Sequence, residues 1–87
     1  MAAGSSNNMH YVYVLQSLID PERFYTGKTA DLRIRLNEHN SGKSIHTNKF
    51  RPWKIYCYFA FNCENKATNF EDYLKTASGR RFLKKHC

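Results

Sequence analysis

The sequence predicts an α+β domain: a small three-stranded antiparallel sheet flanked by helices, in the order β-β-α-β-α-α. Three observations carry that expectation. Two runs rich in β-branched and aromatic residues, HYVYVLQS from His10 and WKIYCYFAF from Trp53, alternate with a period of two. Stretches of helical spacing follow the second and third strand signals, and the first is bounded by Asp31 as a cap and Gly42 as a left-handed stop. The chain has 87 residues with no internal repeat and no low-complexity stretch, which leaves room for a single domain.

Residues 1–8, MAAGSSNN, have no periodicity and no apolar anchor, so they are expected to be a disordered terminus or an appended cloning remnant, and the domain is taken as residues 9–87. In the first strand Tyr11, Tyr13 and Leu15 share one face while Val12 and Val14 share the other, and both faces look covered. The Asp20-Pro21 turn and the return of strand character at Phe24-Tyr25-Thr26-Gly27-Lys28 make a hairpin. The first helix begins near Leu32 and puts Leu32, Arg35, Leu36 and His39 in one arc. In the third strand Trp53, Ile55, Cys57, Phe59 and Phe61 alternate against Lys54, Tyr56, Tyr58 and Ala60, which predicts the longest strand and the centre of the core. The second helix carries Ala67, Phe70, Leu74 and Ala77 at helical spacing, and Gly79 is expected to interrupt it before a short third helix.

The balance of 14 Lys+Arg against 7 Asp+Glu gives a formal charge of +7, which favours polyanionic partners, nucleic acid first. The three cysteines form no CxxC and no paired Cys/His spacing. Neither a disulfide framework nor a zinc site is favoured, and a reducing, cytoplasmic compartment is expected. Apolar runs fall far short of the roughly 20 residues that span a bilayer, and the first eight residues are too polar for a signal peptide, so no membrane association is expected.

Each polar residue on the inward faces has an ordinary structural explanation. Arg35 can lay its methylenes along the core, His39 can cap the helix end half-buried, Glu71 can pair at the rim with a base, and Tyr13 and Tyr25 can pack across the hairpin. Their combination is less ordinary: one carboxylate, one arginine, one histidine and two phenols, all expected near one sheet face of a basic protein. Cleaving a phosphodiester requires a base for water, positive charge on the phosphorane oxygens and help for the leaving oxygen. Magnesium commonly takes one or two protein carboxylates and completes its shell with water and phosphate, so one glutamate suffices. A two-metal site would want clustered carboxylates, which seven scattered acids do not supply.

These are the residues by which the chain resembles the GIY-YIG nuclease superfamily, and more narrowly its small stand-alone bacterial, UPF0213-like members. Tyr11-Val12-Tyr13 looks like the first motif and Tyr25-Thr26-Gly27 like the second. They are followed by the Asp31, Leu32, Arg35, Leu36 and His39 pattern, then HNSGKSIHT, RPWKIYCYFAF, and FEDYLK with the trailing SGRRFLKK. The resemblance runs from His10 to His86. Tyr11 and Thr26 replace the usual leading glycine and middle residue, as is typical of the stand-alone subgroup.

The resemblance implies a DNA endonuclease using one divalent ion, Mg²⁺ or Mn²⁺, without a covalent intermediate, in DNA repair or processing. By position, Glu71 would be the metal ligand and Arg35 would stabilise the transition-state phosphate. Tyr13 and Tyr25 would supply, in either order, the base and a hydrogen bond to phosphate or water. His39 would stand beside the scissile phosphate and Lys28 would be a supporting cation. Some larger relatives carry an asparagine after the metal glutamate, and none occurs between Glu71 and Cys87. That departure keeps a second reading, a non-catalytic nucleic-acid-binding module of the same fold. A third is an adaptor that binds a partner through Ile34 and Tyr73.

Two acid-free stretches hold nine of the fourteen basic side chains: Lys43, Lys49, Arg51 and Lys54 in the loop of residues 43–54, and Lys75, Arg80, Arg81, Lys84 and Lys85 at the C-terminal end. They suit phosphate contacts, with His46 free to stack on an unpaired base and Trp53 read as packed. DNA binding is therefore expected to be salt-sensitive and weakly sequence-selective. Target choice would come from a protein partner, and the chain is expected to be a monomer or a weak dimer.

Overall fold

A computed structural model describes residues 9–87; the segment expected to be a disordered or appended terminus, residues 1–8, lies outside the described residues. The elements are β1 (His10–Ser17), β2 (Phe24–Thr29), α1 (Leu32–Asn40), a single 3₁₀ turn (Asn48–Phe50), β3 (Trp53–Phe61), α2 (Glu64–Leu74) and α3 (Ala77–His86). The three strands form one antiparallel sheet in the order β2-β1-β3, so class and element order are as the sequence predicts.

The expected centre of the core is corrected. β1, not β3, lies in the middle, and its four successive residues Val12, Tyr13, Val14 and Leu15 are all buried. β3 is the longest strand but stands at an edge. Its strict alternation is also broken: Val14 faces Cys57 while Leu15 faces Ile55, so Tyr56 is the extra residue of a β-bulge. A one-residue slip turns every later side chain to the other face. Trp53 and Ile55 therefore join Tyr13, Leu15, Leu32 and Leu36 on one side. Cys57, Phe59 and Phe61 join Val12, Val14, Ala67 and Leu74 on the other. Two cores result, one beneath α1 and one beneath α2 and α3.

Local signals explain the helices. The Asp31 carboxylate accepts from the Ile34 amide at 3.1 Å, and Gly42 follows α1 at φ 87°, a conformation that favours glycine. Helix α2 ends at Leu74 and Thr76 caps α3, its hydroxyl accepting from the Gly79 amide at 3.0 Å. The break thus precedes Gly79, which lies inside α3 and is buried. Any Cβ there would run into the Tyr73 carbonyl and the Leu74 backbone, so the glycine allows the start of α3 to lie against the end of α2. Among the described residues no helix is long and apolar enough to cross a membrane.

Candidate active site

Antiparallel pairing sets the positions of the phenols. Tyr13 pairs with Gly27 and Leu15 with Tyr25, so Tyr13, Tyr25 and Gly27 share the sheet face that α1 covers. The two tyrosine rings lie 6.4 Å apart, and the His39 ring lies 5.9 Å from Tyr13 and 5.1 Å from Tyr25. A Cβ at position 27 would stand 2.5 Å from the Tyr13 hydroxyl, so the ring crosses β2 only because that residue is glycine.

A hydrogen-bond chain runs through this face. Arg35 Nε donates to the Tyr13 hydroxyl at 3.3 Å, that hydroxyl lies 3.0 Å from His39 Nε2, and His39 Nδ1 lies 2.7 Å from Thr47 Oγ1. Arginine only donates, so the phenol accepts from Arg35 and has its own proton for His39 Nε2. The tautomer that satisfies both imidazole nitrogens then carries its proton on Nδ1 and donates it to Thr47; it is assigned from this complementarity. Trp53 Nε1 donates to the Thr47 carbonyl at 2.8 Å and fixes the loop that delivers the hydroxyl.

Burial tunes the chain. His39 is fully buried rather than the half-buried cap expected, and burial, helped by the Arg35 charge, holds its pKa below the ordinary value. Burial also pushes the Tyr13 phenol up, against the lowering effect of Arg35, so phenol and imidazole are both neutral near pH 7. Arg35 is anchored by Glu38, whose carboxylate accepts from Nη1 at 2.7 Å and with Tyr13 raises the guanidinium pKa. Among the described residues Arg35 Nη2 makes no hydrogen bond, and the side chain is 34% exposed, which leaves one edge of the guanidinium for an incoming anion.

Glu71 stands differently from the expectation of one shared face, and Lys28, the expected supporting cation, lies on its side of the sheet. Lys28 pairs with Val12 and so points to the α2 face, where its ammonium donates to Thr68 Oγ1 at 2.7 Å and lies 3.4 Å from Glu64. Glu71 belongs to α2, and its charge is felt at Tyr13, where it adds to the upward shift. The expected site residues thus lie on both sides of the sheet, Tyr13, Tyr25, Arg35 and His39 on the α1 side and Lys28 and Glu71 on the α2 side.

Among the described residues no three His, Cys, Asp or Glu side chains cluster. The Glu71 carboxylate is 17% exposed and takes one bond, from Lys75 Nζ at 3.0 Å to Oε2, while Oε1 has no partner among the described residues. A hard oxygen donor with a free lone-pair site fits a magnesium-like ion that keeps several waters.

Of the residues expected to contact nucleic acid, Lys43, His46, Lys49, Arg51, Lys54, Arg80, Arg81, Lys84 and Lys85 are all exposed, and Trp53 is buried. The structure does not bring the two stretches together: the loop of residues 43–54 packs through Phe50 and Trp53 on the α1 side, and α3 packs through Phe82 and Leu83 on the other. Sequence reasoning missed Glu38, Thr47 and the steric role of Gly27. Glu38 was findable three residues after Arg35 on one helix face. Thr47 gave no local signal, because a loop carries it to His39.

Residues 9–85 match the model of the GIY-YIG catalytic domain. The chain is 36% identical over 80 residues to the structure-specific endonuclease subunit SLX1 of Debaryomyces hansenii, covering 84% of this chain but only 23% of that protein. It is 39% identical over 69 residues to a UPF0213 protein of Lactococcus lactis, covering 78% of this chain and 68% of the relative. The solution structure of a UPF0213 protein from Bacillus halodurans superposes with a TM-score of 0.52 at 31% identity, over 87% of this chain and 80% of that one. Motif order, strand register and these likenesses agree, and the chain belongs to the GIY-YIG family of nuclease catalytic domains.

Proposed function

We propose that this chain is a metal-dependent DNA endonuclease that hydrolyses phosphodiester bonds with a single divalent ion, in DNA repair or processing. The observation that carries the reading is the hydrogen-bond chain Arg35–Tyr13–His39–Thr47, buried from the phenol inward, with a free guanidinium edge at its outer end. Glu71 would hold Mg²⁺ or Mn²⁺, and a bound ion would supply positive charge to the phosphate and lower the pKa of its water. Lys75, exposed and paired with Glu71, has room to swing aside.

The protein's own groups divide the remaining work. Arg35 presents Nη2 to the phosphate oxygens as their charge grows. Tyr13 takes a proton from water as it passes its own to His39 Nε2, which avoids a free phenolate in a site that disfavours one. Thr47 holds the imidazole in the accepting tautomer. Tyr25, close to both rings, provides the hydrogen bond to phosphate or water. Lys28, on the α2 side with Glu71, adds positive charge there. The exposed cations of the 43–54 loop and of α3 hold the DNA backbone. A protein partner supplies target choice, and three free cysteines suit the reducing cytoplasm.

Cleavage of supercoiled plasmid with Mg²⁺ or Mn²⁺ tests the reading. Wild type should nick the plasmid, and Glu71→Ala should lose the metal-dependent activity. If neither protein cuts while both bind DNA at low salt, the non-catalytic binding module replaces the enzyme.

A further inference from the structure

Behind the edge strand, a groove of about 840 Å³ opens between β2 and the α2–α3 corner, within the range that holds organic groups the size of a nucleotide. Its floor is apolar, made by Val14, Leu74 and Leu83. Five cations line it, Arg23, Lys75, Arg80, Arg81 and Lys84, against one carboxylate, Glu22. Among the described residues Arg80, Arg81 and Lys84 make no ion pair. Arg80 and Lys84 are moreover like charges at i, i+4, an arrangement that costs helix stability unless an anion relieves it. At the mouth stands Phe24, 49% exposed, with the Tyr56 ring 5.1 Å away and edge-on at 71°.

We propose that this groove binds an unpaired DNA strand. The inference rests on the nuclease reading, and it names the part of the substrate that lies behind β2. A duplex offers a cationic surface its phosphates but keeps its bases stacked inside, so a concave apolar floor and an exposed aromatic edge would have nothing to touch. An unpaired strand offers both, with phosphates for Arg80, Arg81 and Lys84 and a base face for Phe24. Tyr25 also lines the groove while its ring belongs to the α1 face, so a strand lying there passes directly behind the edge strand that carries this phenol.

The test is equilibrium binding of a labelled oligothymidylate and a labelled hairpin duplex, in EDTA so that no cleavage is needed. Phe24→Ala should weaken oligothymidylate binding at least about fivefold, the lower end of base-aromatic stacking, and duplex binding less than about twofold. Phe24→Trp should keep the affinity, and its emission should be quenched as oligothymidylate is added. Unchanged single-strand affinity in Phe24→Ala overturns the proposal, as does an equal loss on both DNAs or stronger wild-type binding to polyglutamate than to oligothymidylate. A protein that cuts plasmid yet shows no Phe24 dependence overturns the groove alone. One that shows the Phe24 dependence and never cuts supports the groove and overturns the nuclease reading.

Discussion

On the α2–α3 side of the sheet, burial is spent on aromatic and aliphatic packing: Phe59, Phe70 and Phe82 meet edge-on or tilted at 4.7 to 6.1 Å over Val12, Val14, Ala67 and Leu74. On the α1 side the same strand buries a phenol, an imidazole and a threonine hydroxyl, each with a hydrogen-bond partner. The first arrangement gives cohesion at every contact and needs no particular atom. The second needs each partner, because a buried polar group that loses its bond pays for desolvation with no return. Within the 79-residue described fold the α2–α3 side is therefore given to cohesion alone, whereas the α1 side adds to its own apolar core a hydrogen-bonded chain in fixed geometry.

The largest effect that would sharpen this contrast is in stability. Leu74 is 1% exposed in the apolar core, and Leu74→Ala should lower the unfolding free energy by about 2–5 kcal/mol, read from urea denaturation. A cost under about 1 kcal/mol would mean that the α2–α3 side collapses around the gap and is not the rigid half. Arg35→Ala should act the other way round. The side chain is 34% exposed, so the urea midpoint should move little, whereas the single-turnover cleavage rate should drop at least about 100-fold. A near-native rate would remove Arg35 from the chemistry.

How far the sequence carries this division depends on which pattern encodes it. The period-two run of β1 separates Tyr13 and Leu15 from Val12 and Val14, and the structure places them on opposite faces. Asp31 and Gly42 mark α1 because capping is local chemistry. Parity also contained the face of Lys28: with Tyr25 and Gly27 turned toward α1, the next residue must turn away. Strand order was not legible, since alternation says which face is buried and not how many neighbours a strand has. The bulge at Tyr56 hid the split of β3 between two cores, because WKIYCYFAF alternates smoothly through it. Thr47 reaches His39 only through the folded loop, with Trp53 as its anchor, and no spacing rule covers that path.

The finest test of the polar side is its pH dependence. In the unfolded chain His39 takes up a proton near its ordinary value of 6.5, whereas in the fold burial and the Arg35 charge keep it neutral to lower pH. Between those two values the unfolded state binds more protons, so stability rises with pH and is lost as the pH falls below about 6.5. Of the charged groups facing the ring, Arg35 deepens the effect and Glu38 opposes it. The comparison is with His39→Gln, which differs from wild type at this one ring and whose amide can still accept from Tyr13 and donate to Thr47. The melting temperature of His39→Gln should fall less steeply than that of wild type between pH 7.5 and pH 5. Equal slopes would mean that His39 is not held neutral, and Tyr13 would then have no acceptor for its proton at the pH where the chain is proposed to work.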